Sequence, residues 1–102
     1  MKVRINVFYY DLKKEKVKND SEAITLKEVL TTSLMNAKQD EKDMARKYAR
    51  FSLLMLLTNS KDVAEITSEQ ISDLKELVCE CYNVLVYGQT CDYLEDKETN
   101  KR

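Results

Sequence analysis

The sequence predicts a mainly α-helical domain in which three helices follow a short N-terminal β-strand or β-hairpin. The 102 residues include no proline and one glycine, so tight turns are scarce and long helices are favoured over many short strands. Two segments carry helix-capping signals, and the opening segment alternates apolar and polar residues. The hydrophobic share of 43% supports one core without metals or disulfides. We expect a single domain over residues 1–94 and a disordered charged tail over 95–102.

Residues 3–10, VRINVFYY, are typical of a strand because apolar side chains recur at every second position. One face of this strand would carry Val3, Ile5, Val7 and Tyr9. A single strand is not stable alone, so it needs a partner. We predict either a return strand near Glu15–Lys18, which makes a hairpin within residues 2–18, or another copy of the chain.

The first predicted helix covers about residues 26–37 and begins after Thr25. Thr25 has the character of an N-cap, and Glu28 three residues later completes a capping box. Ile24 and Val29 have the spacing of a hydrophobic staple, which fixes how the chain enters the helix. Two independent signals therefore mark this start.

The third predicted helix covers about residues 68–94 and begins with the same pattern. Thr67 is the N-cap, Gln70 takes the position of Glu28, and Ile66 and Ile71 form the staple. Gly88, the one glycine, would mark a kink, a close helix crossing or the end of the regular helix.

The middle predicted helix covers about residues 41–58, with Asp40 as its cap. One face carries Met44, Tyr48, Phe51 and Met55. Nearly every side chain from Phe51 to Leu57 is apolar. A helix that is apolar all round is expected to be buried, so this segment should lie inside the domain or inside an oligomer.

The composition argues against an enzyme and against a cofactor. The chain has no histidine, which removes the commonest general base and metal ligand. With one glycine it has no glycine-rich phosphate loop. Cys79 and Cys81 would point roughly 200° apart on a helix and could not share one ion, so no metal site is predicted. We interpret both, and Cys91, as packing residues, with a metal or redox role as the alternative.

The sequence also predicts a cytoplasmic protein that does not enter a membrane. Three cysteines make a poor disulfide framework, which indicates a reducing compartment. Lys2 and Arg4 interrupt an alternating segment where a signal peptide would need an apolar run. The longest apolar run, Leu53–Leu57, is far too short to span a bilayer.

Two groups of residues are candidates for binding. The first is a basic stripe in the middle helix, formed by Lys42, Arg46, Lys47 and Arg50. It could bind a nucleic-acid backbone, a nucleotide signal or an acidic partner, although the net charge of −1 does not favour a nucleic-acid binder. The alternative is a solvated face with local ion pairs such as Asp43 with Lys47.

The second group is aromatic, because tyrosine is enriched at interfaces. Of the six tyrosines, Tyr10, Tyr87 and Tyr93 are the interface candidates, and the others are expected mainly in the core.

Three segments together resemble a group of small proteins encoded by bacteriophages and prophages. They are ITLKEVLTTSLMNAKQDEK, ARKYARFSLLMLL and ITSEQISDLKELVCECYNVLVYGQTCDYLE, and the resemblance covers roughly residues 24–94. The resemblance implies a phage or mobile-element origin and supplies no catalytic residues. The cysteine pair and the charged tail depart from the pattern of that group.

The leading hypothesis is therefore a non-enzymatic, homo-oligomeric phage accessory protein that binds a host or phage protein in the host cytoplasm. The apolar segment Phe51–Leu57 and the strand without an assigned partner motivate it. The alternative is nucleotide-signal or nucleic-acid binding through the basic stripe.

Overall fold

A computed structural model of the chain describes residues 2–19, 21–36 and 42–95. The elements are β1 (Lys2–Arg4), β2 (Lys18–Asn19), β3 (Glu22–Ala23), α1 (Leu26–Met35), α2 (Met44–Asn59), β4 (Val63–Glu65), α3 (Ser68–Cys81) and α4 (Val84–Leu94). The predicted mainly α fold class is confirmed. The predicted number of helices is wrong, because the described residues contain four helices instead of three.

The N-terminal strand finds its main partner much later in the chain. β1 pairs antiparallel with β4, with Val3 opposite Ala64 at the centre of the register. The sequence predicts a return near residues 15–18, and the structure has a short one: Tyr10 bridges Lys16 antiparallel, the Val17 N–H donates to the Tyr9 carbonyl, and the Asp11 N–H donates to the Glu15 carbonyl. The sequence does not predict β4, because three residues between two helices are too few to show the alternation of apolar and polar residues that is typical of a strand.

The predicted buried face of the N-terminal segment is confirmed. Val3, Ile5 and Tyr9 are buried in the core, and Val7 packs against it. Between β1 and α1 the chain also forms the small β2–β3 hairpin. β1 contacts α4, and the segment around Tyr9 also lies against α4, where the Tyr9 hydroxyl bonds to Thr90.

Both predicted helix starts are found. The Thr25 hydroxyl accepts a hydrogen bond from the Glu28 backbone N–H, and α1 buries the expected apolar stripe. At Thr67 both halves of the capping box are present, since Thr67 and Gln70 each accept from the other's backbone N–H. α1 ends at Met35, and the predicted end at residue 37 lies outside the described residues.

α2 begins at Met44, because the Asp43 carboxylate accepts hydrogen bonds from the backbone N–H groups of Ala45 and Arg46. The predicted cap Asp40 and the predicted first residue Glu41 lie outside the described residues. α2 packs against α1. The Lys27 ammonium near the start of α1 donates to backbone carbonyls at the end of α2, so the two helices are antiparallel.

The predicted long helix over residues 68–94 is instead two helices. α3 ends at Cys81, Tyr82 is extended, and Asn83 caps α4 by accepting from the Val86 backbone N–H. Asparagine is a strong N-cap residue because its side chain satisfies an otherwise unbonded N–H group. Gly88 does not mark the end of the regular helix, because it lies inside α4. α3 then packs between α1 and α4, and its apolar residues fill the centre of the core.

Candidate functional site

α2 carries large apolar side chains on the side that faces away from the core. Met44, Tyr48, Phe51 and Met55 follow one another at intervals of four, three and four residues, so they share one stripe of the helix. Their exposed fractions are 85%, 69%, 54% and 42%. Leu56, at the edge of the stripe, is 39% exposed. We call these five residues the α2 apolar face.

The expectation that the Phe51–Leu57 segment is buried all round is therefore wrong for the single chain. Leu53 and Leu57 are buried, and Leu54 is half-buried. Phe51, Met55 and Leu56 are exposed. At about 100° per residue, Leu53 and Leu57 lie on the side of the helix opposite Met44 and Met55. One side of α2 enters the core, and the other is a continuous apolar surface.

Two aromatic rings form the middle of the α2 apolar face. The ring centroids of Tyr48 and Phe51 are 6.0 Å apart and the ring planes are tilted by 40°. This spacing lies within the range of a favourable aromatic pair. The two rings pack against each other, so they form a single aromatic patch on the surface.

The exposed area of this face is large for a chain of this size. Large side chains such as these expose roughly 200 Å² each when fully accessible, so their exposed fractions correspond to about 600 Å² in total. The largest apolar patch on a typical monomeric protein covers about 300–600 Å² and is often functional. The α2 apolar face is thus at the upper limit of what an isolated soluble chain exposes.

Two members of the predicted basic stripe bind acidic side chains of α3. Arg50 donates two hydrogen bonds of 2.8 Å to Asp73, from Nε to Oδ2 and from Nη2 to Oδ1. Arg46 Nη2 lies 2.8 Å from the same Oδ1 and 3.3 Å from Glu76 Oε2. The hydrogen bonds from Arg50 hold the pKa of Asp73 below its usual range, against the opposing effect of burial.

These ion pairs lie in a groove between α2 and the first turns of α3. The groove has a volume of about 430 Å³, and its walls include Arg46, Arg50, Glu69, Asp73 and Glu76. Cationic and anionic groups share it, and both guanidinium groups already bond to carboxylates. A phosphate would have to compete with Asp73 for each of them. Arg46 and Arg50 therefore link α2 to α3.

The other two basic candidates are exposed and stand apart from this cluster. Lys42 precedes the helix, because Asp43 is its cap, so it does not continue the stripe of Arg46 and Arg50. Lys47 lies on α2 beside the α2 apolar face. The side chains of both lysines are accessible to solvent.

The tyrosine candidates fall into different environments. Tyr10 is half-buried, and the Gln89 side-chain amide binds its backbone on both sides: it accepts from the Tyr10 N–H at 2.9 Å and donates to the Tyr10 carbonyl at 2.8 Å. Tyr87 is half-buried on α4, where a hydrogen bond with Cys91 raises the pKa of its hydroxyl. Tyr93 is a core residue instead of an interface residue, and its hydroxyl donates to the Phe8 carbonyl at 2.5 Å.

The cysteines are free thiols. Cys79 and Cys81 are exposed, so their interpretation as buried packing residues is wrong, and Cys91 is half-buried. Within residues 2–19, 21–36 and 42–95, no group of three or more cysteine, aspartate or glutamate side chains is arranged to hold a metal ion. No helix in the described part of the chain is long and apolar enough to cross a bilayer.

The residues missed from the sequence are the acidic partners Asp73 and Glu76. They are three positions apart on α3, which places them on the same side as neighbours on one helix surface. Spacing alone does not identify them as the partners of Arg46 and Arg50, because Glu69 with Asp73 and Glu76 with Glu80 also have helical spacing.

The fold and surface define a small, mainly helical chain with an outward apolar helix face. No family model matches the chain, and comparisons with curated proteins and with solved structures found no similar protein.

Proposed function

We propose that this protein works without catalysis, by binding an apolar helix of another polypeptide through the α2 apolar face. The observation that carries the proposal is the outward stripe of Met44, Tyr48, Phe51 and Met55. Removing such a surface from water is favourable, by about 25 cal/mol for each Å² of apolar area. A binding partner provides this removal without any change in the fold.

The spacing of the stripe favours a helix as the partner. Intervals of four, three and four residues are those of the inner positions of a coiled coil, where side chains of one helix fit between those of the other. Ala45 and Ser52, both small and exposed, flank the stripe and allow close approach of a second backbone. Lys47 lies on the other flank, where its exposed ammonium group would stay at the polar rim of the interface.

The homo-oligomer, the phage-related setting and the cytoplasmic location expected from the sequence are parts of this proposal. A host or phage protein with an exposed amphipathic helix is the kind of partner that fits. Nucleotide or nucleic-acid binding ranks below it, because Arg46 and Arg50 already bond to Asp73.

The proposal can be tested by photo-crosslinking in the cell that makes the protein. A benzophenone amino acid is placed at Tyr48 in one variant and at Leu12 in another. Leu12 is the matched control because it is 89% exposed and apolar but lies outside α2, in the turn at residues 11–14. We expect a discrete adduct from position 48 and none from position 12.

A second substitution makes the test specific to the surface. Phe51→Glu puts a charge in the middle of the α2 apolar face, at a side chain that is 54% exposed, so the fold should tolerate it. The adduct from position 48 should disappear in this background. Absence of any adduct from position 48, or an adduct that persists with Phe51→Glu, would overturn the proposal.

A further inference from the structure

We infer that the helix that covers the α2 apolar face is α2 of a second copy of this chain, in antiparallel orientation and related to the first by a two-fold axis. The inference rests on the proposed binding function and names its partner. It follows from the order of side chains along the stripe, from the distribution of charge along α2, and from the exposed area.

The stripe is complementary to itself when one copy is reversed. With the two-fold axis passing between Ala49 and Arg50, Tyr48 lies level with the partner's Phe51, and Met44 lies level with the partner's Met55. Each of the four stripe positions then meets an apolar side chain. The Tyr48–Phe51 pair, 6.0 Å between centroids in one chain, joins its copy in a cluster of four rings at the axis.

The methionines suit the two ends of this arrangement. Met44 and Met55 would pack on each other at both edges of the aromatic cluster. Methionine is unbranched and polarisable, so it fills irregular gaps and makes favourable contacts with ring edges. The two-fold axis therefore places the rigid side chains at the centre and the adaptable ones at the periphery.

The charge distribution favours the antiparallel orientation over the parallel one. All charged residues of α2 lie in its N-terminal half, at Arg46, Lys47 and Arg50, and residues 51–59 carry no charge. Arg46 and Arg50 bond to acidic side chains of α3, so Lys47 is the cation beside the stripe, and parallel copies would place it level with the partner's Lys47. Antiparallel copies separate them and place Lys47 beside an uncharged segment, and they also oppose the helix dipoles.

The exposed area is sufficient for a weak dimer. Two copies of an apolar face of about 600 Å² remove at most about 1,200 Å² from water, which just reaches the lower limit of a standard specific interface. Interfaces of this size are typical of weak, exchanging complexes.

The first test measures mass in solution by light scattering after size-exclusion chromatography, at roughly 100 µM chain to exceed a micromolar dissociation constant. We expect twice the chain mass of 11.9 kDa for the natural sequence and a single chain mass for Tyr48→Glu. Leu12→Glu, the matched control, should keep the double mass. A natural chain that stays at 11.9 kDa overturns the inference.

The second test measures orientation with one spin label at Asn59, which is exposed at the end of α2. Cys79, Cys81 and Cys91 are first replaced by serine so that only position 59 is labelled. At 1.5 Å rise per residue, the antiparallel dimer separates the two labels by about 30 Å, whereas a parallel dimer brings them to about 10 Å. The shorter distance overturns the antiparallel arrangement.

The outcomes separate this inference from the proposed function. If the purified chain is a monomer and position 48 crosslinks to a protein of a different mass, the partner is not a second copy. The proposed binding surface would then still be supported. Failure of position 48 to crosslink to anything removes the binding surface itself.

Discussion

α3 and α2 are the two longest helices in the described part of the chain, with 14 and 16 residues. α3 buries four apolar side chains, at Ile71, Leu74, Leu77 and Val78. α2 is richer in large apolar residues, yet it buries two and directs most of the others to solvent. The helix with more apolar side chains thus contributes fewer of them to the core.

The difference follows from what surrounds each helix. α3 packs against α1 on one side and α4 on another, so these neighbours bury its apolar stripe. α2 packs against α1, and Arg46 and Arg50 bond to acidic side chains of α3. The apolar content of a helix therefore indicates burial only where a neighbouring element covers each apolar side. Where none does, the same composition produces a surface.

The largest expected effect is on α3, where Leu74→Ala should lower the free energy of unfolding by about 3 kcal/mol. Leu74 is completely buried, so its loss removes apolar contacts and leaves a cavity. Urea unfolding followed by circular dichroism gives the value. A loss below about 1 kcal/mol would contradict the view that α3 forms the centre of the core.

An intermediate effect is expected where the two helices meet. Asp73→Asn should lower the free energy of unfolding by about 1–2 kcal/mol, because the one carboxylate that accepts from both guanidinium groups loses its charge, although Arg46 keeps Glu76. Glu80→Gln is the matched control, since Glu80 is an exposed acid on the same helix. Equal losses in the two variants would show that the ion pairs do not hold α2 in place.

The Asp73 carboxylate should make the chain less stable in acid than at neutral pH. The pKa of Asp73 is lower in the folded chain than in the unfolded chain, so its stabilising contribution is fully present above the unfolded value near pH 4. It is lost as the pH falls from there through the lower folded value. The stability difference between the natural chain and Asp73→Asn should therefore be constant near neutral pH and shrink in acid.

The smallest effect is expected on the outward side of α2. Met44→Ser should change the free energy of unfolding by less than about 0.5 kcal/mol, because Met44 is 85% exposed. The measurement must be made in dilute solution, below the concentration at which chains associate. A loss above about 1 kcal/mol would show that the chain itself covers this face, which would remove the contrast with α3.

Local signals account for what the sequence predicted correctly. Thr25 and Thr67 are caps whose bonds reach only three residues ahead, so both are visible in the sequence alone. The inward alternation of Val3, Ile5 and Tyr9 is equally local. These features depend on the order of neighbouring residues and not on where distant elements lie.

The remaining features depend on residues far apart in the chain. β1 pairs with β4 about sixty positions later, so no local pattern indicates it. Which side of α2 is covered depends on where α1 and α3 pack. The break before α4 is the exception: Asn83 was a readable cap signal, hidden by the apolar pattern that continues on both sides.

The contacts between the N-terminal segment and α4 also set the order in which the chain can complete its fold. The Phe8 carbonyl accepts from Tyr93, the Tyr9 hydroxyl bonds to Thr90 at 2.6 Å, and Gln89 binds the Tyr10 backbone. A chain emerging from the ribosome cannot make any of them until residues 89–93 have appeared. The side chain of Tyr9 therefore reaches its buried position only after α4 has been made, because the contacts that enclose it join residues about eighty positions apart.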